Sequence, residues 1–228
     1  KIALSSGLSV EDIFSNPDRE SVYEVPIVLQ DQGLDKKVID KLGLKAKNED
    51  LVGWRKMLEK AKGARKKIRI GMVGKYQKTG DYTLADSYIS VIESLRHAGT
   101  EFGVTPDLVW IDSQSLENLS EDEIYEKLQN VSGIIVPQGW GSRGVEGKIA
   151  AARFARVNKI PYLGLCFGMQ MASIEFGRNV VGLKKANTTE VDPKTRHPVI
   201  HIMPNQAEYL AKKQYGATIR LGAWPCEI

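Results

Sequence analysis

P-Y-L-G-L-C-F-G-M-Q, residues 161–170, is the stretch that decides the predicted fold. Its first half is a short apolar run typical of a buried strand, and its second half begins a helical pattern that continues to residue 176. Cys166 therefore lies on the turn, between Gly164 and Gly168. The G-x-C-x-G pattern follows the physical logic of the G-x-S-x-G nucleophile elbow. In that elbow a sharp strand-to-helix turn strains the middle residue and leaves little room for side chains beside it.

Cys166 is the candidate nucleophile. The predicted turn lifts its sulfur out of the sheet and places it at a helix N-terminus, where unpaired N–H groups and the helix dipole favour a thiolate. The thiolate is the form that attacks a carbonyl carbon. The alternative is a small buried apolar residue, which is the usual state of a lone free cysteine. The two glycines, the strand before and the helix after favour the nucleophile.

A second glycine-rich stretch, G-I-I-V-P-Q-G-W-G-S-R-G-V-E-G at residues 133–147, repeats the order of apolar strand, loop and helix. Such a loop can present backbone N–H groups to an oxyanion, because no Cβ blocks the approach. In open parallel sheets, ligands bind beyond the carboxyl ends of the strands. Both glycine-rich segments follow such an end, so they predict one shared cleft.

From Ile68 onward the chain alternates between strand and helix patterns. This alternation predicts an α/β fold with a doubly wound, mostly parallel sheet and flanking helices. Residues 1–50 show no self-sufficient core; their opening K-I-A-L is typical of a strand, and residues 34–44 predict a short helix. Residues 51–67 predict a helix that ends in a basic run. The predicted strands are 68–73, 108–111, 133–136 and 162–165, and the predicted helices are 84–97, 121–128, 145–157 and 167–176.

Composition narrows the function classes. With 42% apolar and 26% charged residues, the chain has the composition of an ordinary globular protein. Its net charge of +4, without a stripe of interleaved aromatic and basic residues, argues against nucleic-acid binding. Cys166 and Cys226 lack metal-ligand spacing and cannot form a disulfide framework, so we expect no metal and a reducing cytoplasm. No apolar run approaches the ~18 residues that span a bilayer, and no signal peptide precedes the first predicted strand, so no membrane association is expected.

Several motifs together resemble the class I glutamine amidotransferase domain of the CTP synthase family, which has a flavodoxin-like fold. Residues 22–34 resemble the end of that family's synthetase domain, and residues 70–76 resemble the start of its glutaminase domain. The other motifs are V-P-Q-G-W-G-S-R-G-V-E-G-K-I at 136–149, P-Y-L-G-L-C-F-G-M-Q at 161–170, A-N-T-T-E at 186–190 and I-R-L-G at 219–222.

The resemblance implies three regions. Residues 1–50 would be the C-terminal remnant of a synthetase (amidoligase) domain, residues 51–67 an interdomain linker helix, and residues 68–228 a glutamine amidotransferase domain truncated at its C-terminus. The chain opens on Lys1 without an initiator methionine, which also suggests a fragment. For residues 1–50 the alternative is an N-terminal arm that packs on the domain that follows.

The resemblance also implies a ligase that hydrolyses glutamine in pyrimidine nucleotide biosynthesis. Glutamine would be hydrolysed at Cys166, and the ammonia would pass to a synthetase domain that aminates ATP-activated UTP to CTP. The full enzyme would bind L-glutamine, UTP, ATP with Mg²⁺, and GTP as activator, and it would be a cytoplasmic homotetramer; this part would hold no cofactor. The alternatives are a non-catalytic sensor or scaffold and, more weakly, a stress-type hydrolase or deglycase, for which Glu190 has no evident use.

Site residues follow from the same resemblance. The oxyanion donors would be the N–H groups of Phe167 and Gly139, and Glu190 would bind the substrate α-ammonium group. Gln138 and Trp140 depart from the family pattern, which has a second glycine and a different aromatic residue; the Cβ of Gln138 adds a cost if its peptide must flip. The residues implied to contact glutamine are Gly139, Phe167, Gly168, Met169, Gln170 and Glu190.

Coupling to GTP is implied for Arg143 and Gly144. The alternative for Arg143 is a solvated turn arginine. Residues 65–67 and 75–76 would border a nucleotide-sensing interface. Residues 215–228 predict a strand pair near the active site that includes Arg220 and Cys226, with Cys226 expected in packing; those two residues lie outside the part of the chain that the structure describes.

The sequence does not contain the motif of the general base that the family pattern includes. The family uses a histidine and a glutamate separated by one residue, downstream of the nucleophile, and the chain contains no H-x-E sequence. His97 is predicted to be structural at the end of a helix, and His197 and His201 are weak candidates for the base. The simpler prediction places the true His and Glu beyond Ile228. On that prediction the chain would be alkylated at Cys166 and would hydrolyse glutamine poorly.

Overall fold

The computed structural model describes residues 1–46, 50–75, 78–79, 82–83, 85–203, 206 and 208. The chain divides into two compact units. Unit 1 comprises residues 1–66 and 96–105, and unit 2 comprises residues 67–95 and 106–228. Within the described residues, no helix has the length and apolar character needed to cross a membrane.

In residues 1–63 of unit 1, the regular elements that the structure describes are helices and 3-10 turns. The strand predicted for K-I-A-L is wrong, because these residues begin a helix that ends at Gly7 in the left-handed conformation. Three apolar residues are too few to separate strand from helix. The helix predicted over 34–44 is confirmed, with glycines in the left-handed conformation at both ends. The helices of residues 1–63 are α1 (Ile2–Ser6), α2 (Val25–Asp31), α3 (Leu34–Leu42) and α4 (Val52–Gly63), with 3-10 turns at Val10–Asp12 and Val22–Glu24.

The helix predicted over 51–67 is confirmed as α4, but it is shorter than predicted. It ends at Gly63, and its cap residue Ala64 already has an extended backbone. Lys66 is the first residue of strand β1. The basic run therefore divides between the end of a helix and the start of a strand, because glycine weakens the helix at that point.

Within the residues that the structure describes, unit 2 is built on a four-stranded sheet with the order β4-β1-β5-β6. Its β1–β5 and β5–β6 pairs are parallel, and Val136 pairs with Gly164, so the segments after β5 and β6 begin side by side. The predicted fold class, a parallel sheet with flanking helices, is confirmed. The strands are β1 (Lys66–Gly74), β4 (Val104–Asp112), β5 (Gly133–Val136) and β6 (Tyr162–Gly164), and the short pairs are β2 (Lys78–Thr79) with β3 (Tyr82–Thr83) and β7 (Asn187–Thr188) with β8 (Pro198–Ile200).

The helices of the α/β region are α5 (Ile89–Phe102), α6 (Glu121–Leu128), α7 (Val145–Val157) and α8 (Phe167–Asn179). The predicted bounds of α6 and α7 are confirmed. Helix α6 begins at a capping box, in which Ser120 and Glu123 exchange side-chain and backbone hydrogen bonds. Helix α8 is three residues longer than predicted, and a 3-10 turn at Ala85–Tyr88 precedes α5, which extends to Phe102.

His97 illustrates the longer α5. It lies inside the helix, so its predicted position at a helix end is wrong, because Ala98 and Gly99 continue the helix. Its Nε2 forms a 2.6 Å hydrogen bond with the Tyr23 hydroxyl, and Trp54 donates its indole N–H to the Tyr23 carbonyl at 2.7 Å. His97 thus has a packing partner within unit 1, which agrees with the predicted structural role.

Two apolar clusters form the core of unit 2. The larger one packs Val73, Ile134 and Val136 of the sheet against Ala151 and Phe154 of α7. The second cluster joins α7 to α8 through Val145, Ile149, Phe167, Met171 and Ile174, all buried. Because α8 is anchored on α7 in this way, the first turn of α8 has a fixed position at the end of β6.

Candidate active site

Cys166 occupies the turn between β6 and α8. Its φ of 52° and ψ of −106° lie in a region that non-glycine residues rarely adopt. Its side chain is exposed. The predicted strand, turn and helix around a strained cysteine are therefore confirmed, and the sulfur is accessible to a reagent or substrate.

The two flanking glycines are sterically required. A Cβ on Gly168 would overlap the carbonyl oxygen of Val136, and a Cβ on Gly164 would lie 2.5 Å from the backbone nitrogen of Met169. The Val136 oxygen also accepts a 2.9 Å hydrogen bond from the Leu165 N–H. The turn therefore packs directly on the end of β5, and any side chain at either glycine would displace it.

Backbone donors are available at both segments. The Gln170 N–H donates to the Cys166 carbonyl at 3.2 Å and starts the helical ladder. The N–H of Phe167 and the N–H of Gly139 donate to no protein acceptor among the described residues. Phe167 is the first residue of α8, and helix N-termini leave such groups unpaired and able to bind an anion. These two donors have the character that an oxyanion hole requires.

Glu190 is placed beside the glycine-rich loop. Its carboxylate accepts a 2.6 Å hydrogen bond from the N–H of Gly141, which has a φ of 71°. Its own N–H donates to the hydroxyl of Thr188 on β7 at 3.2 Å. The structure thus brings the predicted glutamine-binding carboxylate to the loop that contains Gly139, two residues from the predicted oxyanion donor.

Two lysines that the sequence analysis did not assign to the catalytic site lie between the loop and the elbow. The Nζ atoms of Lys75 and Lys148 are 5.4 and 5.2 Å from the centre of the Phe167 ring. A Cβ on Gly139 would lie 3.1 Å from Lys75 Cε and 3.2 Å from Lys148 Nζ. Glycine at this position leaves the space that the lysines occupy.

The electrostatics of the two lysines follow from burial. Desolvation lowers the pKa of Lys148 to about 8; repulsion by Lys75 adds to the effect, and Cys166 opposes it. Desolvation and then Arg143 lower the pKa of Lys75, and Glu190 opposes this change. One sequence signal could have indicated Lys148: it follows Val145 by three residues and precedes Ile149, on the buried face of α7.

The remaining predicted glutamine contacts lie in the first turn of α8. Gly168 is buried, Met169 is 54% exposed and Gln170 is half-buried. Tyr162 on β6 donates its hydroxyl to the Gly168 carbonyl at 2.8 Å, which fixes this turn against the strand.

Arg143 is exposed, and its guanidinium donates to the carbonyl of Lys75 at 2.7 Å. The arginine is therefore attached to the backbone of a site lysine. Gly144 precedes α7 with a φ of 71°, and a Cβ there would overlap the hydroxyl of Ser113. Of the residues predicted to border a nucleotide-sensing interface, Arg65 lies between α4 and β1, while Tyr76 lies outside the described residues.

The two candidate histidines of unit 2 have other partners. His201 Nδ1 lies 2.9 Å from the Thr189 hydroxyl, and the carbonyl of His197 accepts the N–H of Asn187. Within the described part of the chain, no hydrogen bond joins either histidine to Cys166. The placement of the triad His and Glu beyond Ile228 stays a prediction.

A surface cavity of about 430 Å³ lies elsewhere in unit 2. It is lined by apolar and charged side chains of α6, α7 and α8, including Tyr125, Arg153 and Arg178. None of the predicted site residues lines it, so the candidate site is defined by the chemistry at Cys166 and not by this cavity.

Comparison with known proteins identifies the class. A family model described as glutamine amidotransferase class-I matches residues 83–218, more than half of the chain. The chain belongs to the class-I glutamine amidotransferase family.

The relatives make the comparison more specific. The chain is 49% identical to a CTP synthase of Sulfolobus acidocaldarius over 98% of this chain and 40% of the relative. It is 46% identical to a CTP synthase of Caldanaerobacter subterraneus subsp. tengcongensis over 100% of this chain and 40% of the relative. The chain thus spans about two fifths of the length of the curated relatives it matches, and the resemblance to the CTP synthase family is confirmed.

A solved structure supports the same comparison. The glutaminase domain of Trypanosoma brucei CTPS, with bound acivicin, matches with a TM-score of 0.55 and 43% sequence identity. The match covers 60% of this chain and 50% of that chain.

Proposed function

We propose that this chain is the glutamine-hydrolysing part of a CTP synthase, a ligase of pyrimidine nucleotide biosynthesis. The observation that carries the proposal is the exposed Cys166, held at a positive φ where β6 meets α8. The N–H of Phe167, which donates to no acceptor among the described residues, lies directly after it. The similarity to CTP synthases over almost the whole chain supports the particular reaction.

The proposed chemistry is acyl transfer from the side-chain amide of L-glutamine. The thiolate of Cys166 attacks the amide carbon, and the carbonyl oxygen becomes an oxyanion that accepts hydrogen bonds from Phe167 and Gly139. The C–N bond then breaks as the nitrogen takes a proton, which releases ammonia and leaves a thioester. Water hydrolyses the thioester to glutamate and restores the thiol. The proton carrier in this scheme is the His–Glu pair that the resemblance implies.

Substrate recognition is proposed for Glu190 and the first turn of α8. The Glu190 carboxylate accepts one hydrogen bond from the Gly141 N–H. Its remaining lone pairs would accept hydrogen bonds from the α-ammonium group of glutamine. Phe167, Gly168, Met169 and Gln170 would line the substrate, and the exposed Met169 offers an apolar surface for its methylene groups.

In the full enzyme we propose that the released ammonia reaches a synthetase domain and aminates ATP-activated UTP. Passage inside the protein keeps ammonia unprotonated and nucleophilic. We propose from the resemblance that ATP and Mg²⁺ bind to that synthetase domain. A cytoplasmic homotetramer is proposed from the resemblance.

GTP activation is proposed to act at Arg143 and Gly144. A nucleotide phosphate is a natural partner for an exposed guanidinium. Because Arg143 donates to the Lys75 carbonyl, a ligand on Arg143 would also affect the position of Lys75 beside Phe167.

Labelling with an electrophilic glutamine analogue, such as 6-diazo-5-oxo-L-norleucine, tests the proposal. We expect one added mass on the 228-residue chain, located at Cys166 by peptide mapping and suppressed by L-glutamine but not by D-glutamine. Cys226→Ala should be labelled normally, and Cys166→Ala should not. A folded protein that is never modified at Cys166 would refute the nucleophile. Reversible glutamine binding without modification would favour the sensor or scaffold.

A further inference from the structure

Lys148 is a fully buried lysine on α7, with a relative exposure of 0%. Its Nζ donates one hydrogen bond, 3.2 Å long, to the carbonyl oxygen of Pro137. Among the described residues, no carboxylate lies within 4 Å of this nitrogen. Burying an ammonium group without a carboxylate is costly, so such groups are concentrated where the charge has a use.

The surroundings of the ammonium group indicate that use. It lies 5.2 Å from the centre of the Phe167 ring, the residue next to Cys166. It also lies 3.2 Å from the place where a Cβ of Gly139 would stand. The charge is therefore close to both segments that the proposed function uses for the nucleophile and the oxyanion.

We propose that Lys148 is a positioning residue of the glutaminase site, which holds the loop through Pro137 and stabilises negative charge at Cys166 and on the substrate oxygen. The inference rests on the proposed function, because it assigns Lys148 to that reaction. Lys148 acts through the loop and through its electrostatic field, and the reacting atoms are contacted by Cys166, Phe167 and Gly139.

The hydrogen bond explains the positioning. The carbonyl of Pro137 and the N–H of Gln138 belong to one trans peptide plane, so a bond to the carbonyl fixes the orientation of the whole plane. The N–H of Gly139 belongs to the next peptide plane, which is joined to this one at the Cα of Gln138. The anchored carbonyl thus fixes the plane from which the Gly139 peptide continues.

Other charged side chains lie near Lys148. Among the described residues, Lys75 and Arg143 are cations near this loop, and Glu190 is an anion beside it. Burial and Lys75 lower the pKa of Lys148 to about 8, so Lys148 is mostly charged at pH 7 and loses its charge above pH 8. Its influence on Cys166 should therefore be greatest below pH 8.

The test is the rate at which iodoacetamide alkylates Cys166 as a function of pH, measured by peptide mapping on the 228-residue chain. In Lys148→Met we expect the midpoint of the profile to rise by about half to one pH unit, the size expected for removing one charge at several ångströms. Lys148→Arg should return the midpoint toward the wild-type value. Lys127→Met, the same substitution at an exposed lysine of α6, should leave it unchanged.

A second readout isolates the hydrogen bond. With the electrophilic glutamine analogue, Lys148→Met should reduce the limiting rate of inactivation about tenfold and leave the half-saturating concentration unchanged. Lys148→Gln keeps a hydrogen-bond donor without the charge. Its pH midpoint should therefore rise as in Lys148→Met, and it should retain part of the limiting rate of inactivation. This variant also replaces Lys148→Met if that variant fails to fold.

An unchanged pH midpoint and an unchanged limiting rate in a folded variant without the charge would overturn the inference while the proposed function stands. If wild-type Cys166 is not labelled by the glutamine analogue at all, the proposed function fails. The iodoacetamide profile would then still decide whether Lys148 stabilises the thiolate.

Discussion

The two strand-to-helix junctions of the site are built in different ways. The β6–α8 junction has two residues, Leu165 and Cys166, whereas the β5–α7 junction has eight, residues 137–144. They start side by side, because Val136 pairs with Gly164. The short junction fixes one sulfur atom through a strained backbone, and the long one can present backbone donors along its length.

The forces that hold the two junctions also differ. The short junction is fixed by contact between backbone atoms, which is why Gly164 and Gly168 admit no Cβ. The long junction is fixed by polar contacts, from Glu190 to Gly141 and from Lys148 to Pro137. Added volume should therefore damage the short junction most, and altered charge should damage the long one most.

The largest expected effect is chemical and belongs to the short junction. In the full-length enzyme, Cys166→Ala should reduce glutamine-dependent CTP formation at least ~10³-fold, because the nucleophile is lost. CTP formation from added ammonia should be retained, since the synthetase reaction does not use the sulfur. Loss of both activities would show that Cys166 is needed for folding, which is checked by urea unfolding.

The second effect tests the steric difference. Gly168→Ala should lower the free energy of unfolding by about 3 kcal/mol, because the new Cβ overlaps the Val136 carbonyl. Gly141→Ala in the long junction meets open space and should lose only about 1 kcal/mol, from its positive φ. Urea unfolding measures both values. Equal losses would contradict the assignment of steric control to the short junction.

The third effect tests charge at the long junction. The pKa of Lys148 is lowered to about 8 from 10.5, so between these values the unfolded chain binds more protons than the folded one. Stability therefore rises with pH in this window, by about 2 kcal/mol up to pH 10. The difference in unfolding free energy between wild type and Lys148→Met should show this rise, and a difference that is constant with pH would contradict burial of the charged group.

The smallest effect concerns the support of the short junction. Tyr162→Phe removes the 2.8 Å hydrogen bond to the Gly168 carbonyl and should lower the free energy of unfolding by about 1 kcal/mol. Burial raises the pKa of Tyr162, so the hydroxyl remains a donor. Tyr125→Phe is the control, because Tyr125 is exposed and its hydroxyl has no hydrogen bond among the described residues. Equal free energies of unfolding for the two variants would contradict stabilisation of the short junction by the Tyr162 hydroxyl.

The sequence predicted the elements whose ends carry strong local signals. Helix α6 has a capping box at Ser120, and α7 follows a glycine in the left-handed conformation; both helices have the predicted bounds. The elbow at Cys166 was also predictable, because only small residues fit beside such a turn. Weaker signals failed at Ile2–Ser6, where three apolar residues fit a strand or a helix, and at His97, where glycine did not end α5.

Within the site, the sequence by itself determined the strained cysteine, its glycine neighbours and the glycine-rich loop, because each depends on residues close together in the chain. Only the tertiary structure decided that Glu190 meets Gly141 across 49 positions and that Lys148 lies beside Gly139. Such contacts depend on how α7 packs against the sheet and α8. Local periodicity predicts that a lysine is buried, but it does not specify which distant backbone the charge will meet.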